Sequence, residues 1–166
     1  REKDGDVGVL RDVLAEYEKN SLYMEEYKIF QEFALLYPPP KGGDAERLRL
    51  EAVVTRNAGV EAGKRGESGK ALKLLRLALE KSGGDRETLF DYITNLSWAG
   101  DYKGAVAEFG KLRDTSEVPR HTLSAVGRSL LETGDFARAE QLYSVMLEKS
   151  PSDTDALRGL VNVCFS

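Results

Sequence analysis

The chain has 166 residues, 41% of them hydrophobic and 31% charged, with a formal net charge of −4. Enough apolar side chains are present for a core, so wholesale disorder is excluded, and the weakly acidic balance offers no global basic field to draw nucleic acid. No run of about 18 apolar residues occurs, so no membrane-spanning helix is expected.

Taken in order, Leu10, Val13, Leu14 and Tyr17 recur at three- and four-residue steps and predict one amphipathic helix. Tyr27, Phe30, Ala34 and Tyr37 predict a second, stopped by Pro38-Pro39-Pro40. Residues 1–43 therefore read as a degenerate helical hairpin and a proline-rich turn. The proline run reads more simply as a rigid stop than as a ligand for a proline-reading domain. After Lys41-Gly42-Gly43, Asp44 is placed to cap a long helix reaching toward Lys64.

A fixed period then emerges. Gly66-Glu67-Ser68-Gly69-Lys70-Ala71, Gly100-Asp101-Tyr102-Lys103-Gly104-Ala105 and Gly134-Asp135-Phe136-Ala137-Arg138-Ala139 place their leading glycines and closing alanines 34 residues apart. Four residues past each alanine stands Leu75, Phe109 or Tyr143. In the last unit Leu123, Val126 and Leu130 share one helical face, and Ala139, Leu142, Tyr143 and Met146 share one face of the next helix. Gly134 suits a left-handed helix end, and Asp135 suits the cap of the following helix; Gly100-Asp101 repeats this turn chemistry. Gly127 and Ala139 are small enough for the two helices to approach closely.

This period and its order of small and large positions resemble the tetratricopeptide family. The unit from Leu123 to Pro151 matches best, through Leu123, Val126-Gly127, Leu130, Ala139, Tyr143 and Pro151. The middle unit offers Leu89, Tyr92-Ile93, Leu96, Ala105 and Phe109, but carries Ile93 at a small-residue place and a late Pro119. The first offers Ala58-Gly59, Ala62, Ala71, Leu75 and Ala78, without the large residue near Thr55 or the proline near Gly83. The resemblance implies an all-α fold, a right-handed superhelical solenoid of antiparallel helix pairs with no sheet. Three repeats would fill residues 44–153, and residues 154–166 would form the first helix of a further repeat, with Leu157, Leu160, Val161 and Cys164 as its apolar stripe. Cys164 is the single cysteine, so no internal disulfide can form; it is expected to be a buried thiol, and it fits cytosol or periplasm without deciding between them. No secretory leader is recognisable, and the chain closes inside an apolar helical pattern, so it is expected to be a piece of a longer protein.

The resemblance also implies where a ligand sits, since first helices line the concave face of such arrays. The family's inward positions fall here on Val53, Arg56, Val60 and Lys64, then Glu87, Phe90, Thr94 and Trp98. The third repeat contributes His121, Ser124, Arg128 and Leu131, and the half repeat Arg158 and Asn162. Phe90 and Trp98 lie off the face carrying Leu89, Tyr92 and Leu96, which suits them as groove anchors; Trp98 could equally tuck beside Tyr102. Arg56, Lys64, Arg128 and Arg158 make the groove more basic than the rest, fitting an acidic protein or peptide partner. Arg158 and Asn162 match part of the family's Lys/Asn/Arg carboxylate clamp, but the preceding repeats lack its other members, so the clamp is not carried over.

No phosphate-cradling glycine loop is present. One His and one Cys make a dedicated metal site, a cofactor site or a nucleophilic pair unexpected, and no basic helix stripe for nucleic acid appears. The expected function is a non-enzymatic scaffold that binds a peptide or partner subunit. A second expectation follows from similarity in repeat style to periplasmic repeat domains of bacterial exopolysaccharide exporters, which recruit enzymes beside an outer-membrane pore. A third is self-association through the uncovered last helix.

Overall fold

The computed structural model describes residues 7–39 and 44–165, and every regular element among them is a helix. These are α1 (Val7–Lys19), α2 (Tyr23–Leu36), α3 (Ala45–Lys64), α4 (Ser68–Ser82), α5 (Arg86–Trp98), α6 (Tyr102–Phe109), α7 (Arg120–Glu132), α8 (Phe136–Lys149) and α9 (Thr154–Cys164). The turn expected at Pro40 and Lys41-Gly42-Gly43 lies outside the described residues. No helix is long and apolar enough to cross a membrane, among the described residues.

The helix starts keep the period. Helices α4, α6 and α8 begin at 68, 102 and 136, and α5, α7 and α9 at 86, 120 and 154, each step being 34 residues. The local causes are visible. Gly100 (φ 82°) and Gly134 (φ 77°) hold left-handed turns that favour residues without a Cβ. The aspartate after each caps the next helix, Asp101 accepting from Gly104 N at 2.9 Å and Asp135 from Arg138 N at 3.3 Å. Asp44 caps α3 as expected, accepting from Glu46 N and Arg47 N. Helix α6 has only eight residues against 15 in α4 and 14 in α8, so the middle unit is also the most irregular.

The chain divides into two compact units between Leu89 and Phe90. In the first, Leu10, Leu14, Phe30 and Val54 form a buried cluster that seats α1 and α2 against α3, with Tyr27, Ile29, Phe33, Ala34 and Leu50 packed around it. The buried Arg47 guanidinium donates to the carbonyls of Tyr37 and Ala34, satisfying the open end of α2, and lies 5.4 Å from the centre of the Phe33 ring. Helices α3 and α4 approach so closely that a Cβ at Gly59 would lie 2.8 Å from Leu75 Cγ.

In the second unit the same register position is Gly127, and Tyr143 of α8 fills the space beside it. Tyr143 also lies against Gly159 of α9. Several buried hydroxyls of this unit are paired: Thr94 Oγ1 donates to Phe90 O at 2.8 Å and lies 3.1 Å from Thr122 Oγ1, while Ser97 Oγ donates to Ala125 O at 2.9 Å.

Helix α9 starts at Asp153, which accepts from Asp155 N and Ala156 N and is gripped by Arg120 Nη2 at 2.8 Å. Chiefly that Arg120 hydrogen bond holds the Asp153 carboxyl down at about 2, below its ordinary 3.8, against the opposing effect of burial. A depressed folded value means the contribution is present above about pH 4 and is lost as pH falls toward 2. Asp153→Ala is therefore expected to cost roughly 1–2 kcal/mol at neutral pH, the upper part of the range for a lost cap. In urea titrations the gap between variant and parent should shrink between pH 4 and pH 2; a gap that is constant with pH would contradict the role given to the carboxylate.

Beyond its cap, α9 is open on one side. Leu157, Val161 and Cys164 are exposed, as is Phe165, at 88% exposure. The buried thiol expected at Cys164 is thus corrected. The register equivalent Leu130 is buried in a unit that has α8 packed on α7, whereas no described helix covers this face of α9.

Candidate ligand-binding cleft

The second unit carries a cleft of about 400 Å³ lined by residues of α5, α7, α8 and α9. Small residues keep its floor low: Ser97, Ala125 and Gly159, with Tyr143 between the helices. Trp98 and Leu131 provide apolar wall, and Arg120, His121, Arg128, Asp155, Arg158 and Asn162 provide the polar rim. Helical periodicity explains the set, since Ser124 and Arg128, and likewise Arg158 and Asn162, stand one turn apart on a single face.

The rim cations differ in how they are held. Arg120 is committed to Asp153 and to Asp155, the latter at 3.0 Å. The Arg128 guanidinium lies 5.8 Å from the centre of the Tyr102 ring and donates to its hydroxyl at 3.3 Å, a loose hold at a solvent edge. The Arg158 side chain makes no ion pair or hydrogen bond with the described residues. Ser124 Oγ is buried at the cleft without a hydrogen-bond partner. Burial, with a smaller push from Asp155, raises the Tyr143 phenol to about 12, so it remains neutral and cannot serve as a base at ordinary pH. Among the described residues no group of three His, Cys, Asp or Glu side chains could hold a metal ion.

Of the residues expected to face a ligand, the cleft brings together Trp98, His121, Ser124, Arg128, Leu131, Arg158 and Asn162. Two others must be corrected. Phe90 is 5% exposed and Thr94 is fully turned inward, so neither presents a surface. The reason is that α5 is largely buried from Thr88 through Phe90 and Tyr92 to Ser97, so only its ends are uncovered: Arg86 and Glu87 at the start and Trp98, at 52%, at the finish. Arg56 lies in a separate cleft of the first unit, of about 510 Å³, where it is paired to Glu87 at 2.7 Å. Val60 is half-buried and Lys64 is exposed, and neither lines either cleft.

Sequence reasoning missed Arg120, Asp155 and Tyr143 as cleft residues. Arg120 and Asp155 each stand within the first turn of a first helix, where an opposite-charge pair across neighbouring repeats was readable in principle. Tyr143 was assigned to the core only, because its position as the filler between two glycine-bearing helices depends on their approach.

No family model matches the chain, and no curated protein matches it in sequence.

Proposed function

We propose that this chain is a helical-repeat binding module of the tetratricopeptide kind, and that the cleft of its second unit holds an acidic, extended segment of a partner protein. The observation that carries this reading is the cleft rim itself. It sets an uncovered Trp98 beside Arg158, whose guanidinium is uncommitted among the described residues, and Arg128, which is held only loosely. An aromatic wall with unsatisfied guanidinium donors fits a carboxylate next to an apolar side chain. The helix starts at 34-residue steps support the repeat assignment. Turnover is not part of the proposal, since the cleft pairs no nucleophile with a base: Ser124 Oγ has no partner and the Tyr143 phenol stays protonated.

The test is a titration of short fluorescent peptides, acidic with one aromatic or leucine, against matched basic peptides, followed by anisotropy and by Trp98 emission. Acidic peptides should bind in preference, and the double variant Arg128→Ala/Arg158→Ala should weaken them roughly tenfold, about 1.4 kcal/mol. Raising salt should narrow that difference, because the rim is solvent-exposed. Equal binding of acidic and basic peptides, or a double variant indistinguishable from the parent, would sink the reading.

A further inference from the structure

Helix α2 turns two side chains inward, Glu26 and Phe30, one turn apart. Phe30 belongs to the apolar cluster that seats α1 and α2 on α3. Glu26 occupies the same buried face, at 2% exposure, where an apolar residue would be the ordinary choice. Its Oε2 has no hydrogen-bond partner. Across from it on α3, the Asn57 amide comes near the carboxyl, yet Asn57 Nδ2 is also buried and completes no hydrogen bond of good geometry. The buried hydroxyl of Thr55, on the same helix, is likewise unpartnered.

We infer that Glu26 is a proton-operated latch: while its buried carboxyl is neutral the α1–α2 hairpin stays seated on α3, and loss of that proton to solvent loosens it. The nearby Asn57 amide favours the ionised form, so what keeps the hairpin seated is that the neutral carboxyl carries no charge into this apolar face. An ionised carboxylate in the same place needs several donors or a cation. From α1 the charge that acts on Glu26 is that of Glu18, which is repulsive. From α3 the group that acts on it is the neutral Asn57 amide; Arg47, the buried cation of that helix, is committed to the carbonyls at the opposite end of α2. One turn beyond Asn57, Glu61 is paired with Arg65 at 2.8 Å.

Burial, opposed by the Asn57 amide and reinforced by Glu18, lifts the carboxyl from 4.5 to about 7. A raised folded value means the stabilisation is complete below the unfolded value and is lost as pH rises through about 7. The latch therefore works between pH 4.5 and about 7, and its release uncovers Leu10, Leu14, Phe30 and Val54. This inference stands apart from the binding reading above, because it concerns the first unit alone.

Amide hydrogen exchange on the intact chain, corrected for the intrinsic effect of pH, tests it. Between pH 5.5 and pH 8 the opening of α1 and α2 should grow on the order of tenfold, while α7 and α8 keep their protection. In Glu26→Gln the hairpin should be equally protected at both pH values. Hairpin exchange in the parent that is independent of pH, or a glutamine variant that keeps the dependence, would overturn the latch. Should the variant fail to fold, carboxyl-carbon NMR of the parent decides: a Glu26 midpoint near 7 with concerted shifts of α1–α2 amides supports it, and a midpoint in the ordinary carboxylate range overturns it.

Discussion

Phe90→Ala is expected to destabilise the chain by about 3–5 kcal/mol, the usual cost of emptying a buried aromatic site. Phe90 is 5% exposed, and its carbonyl accepts from Thr94 Oγ1, so side chain and backbone are both held inside. The cavity left behind cannot be filled cheaply, because the neighbouring turns of α5 carry Tyr92, Ile93 and Leu96, all buried as well. Trp98→Ala is the control: half-exposed at the end of the same helix, it should cost less than about 1 kcal/mol, as surface changes do. Urea denaturation of the two variants separates these outcomes. A Phe90 variant as stable as the Trp98 variant would return Phe90 to the surface role that its position in the repeat suggested.

Gly127→Val and Gly159→Val should each cost near the upper end of the overpacking range, about 3 kcal/mol. A Cβ at Gly127 would lie 2.6 Å from Tyr143 Cε1 and Cζ, and one at Gly159 would be closer still to the same ring. The ring belongs to the buried Tyr143 and lies against both glycine-bearing helices, so either added side chain must displace it. For a chain of this size the loss corresponds to a fall in Tm of roughly 6–12 °C. Removing the ring should relieve the clash, so Tyr143→Ala combined with Gly127→Val should cost clearly less than the sum of the two single changes. Strict additivity in that cycle would show that Tyr143 is not what makes glycine necessary.

These effects separate what is local from what is not. The sequence alone determined that the chain is helical, and the 34-residue spacing of its turns. Gly100-Asp101, Gly134-Asp135 and Asp44 act within a few residues of themselves, through left-handed turns and side-chain caps, so their consequences are readable without knowing any neighbour. Gly127 too was legible as a point of close approach, since nothing else explains a glycine on an apolar helical face. The cleft was legible in part: Trp98, His121, Arg128, Arg158 and Asn162, which line it, are among the inward positions implied by the resemblance to the tetratricopeptide family. Tertiary structure decided what phase cannot. Phe90 and Thr94 lie off the apolar stripe of α5 and look outward by periodicity, but α5 is largely buried from Thr88 to Ser97 and its hydroxyls bond to nearby carbonyls. Cys164 sits in phase with buried Leu130 and is exposed, because burial requires a covering helix and not only an apolar side chain. Glu26 and Arg47 look like ordinary surface charges in the sequence and are buried for the same reason: α2 and α3 close over them, and only that contact determines that one is capped by carbonyls while the other is left without a cation.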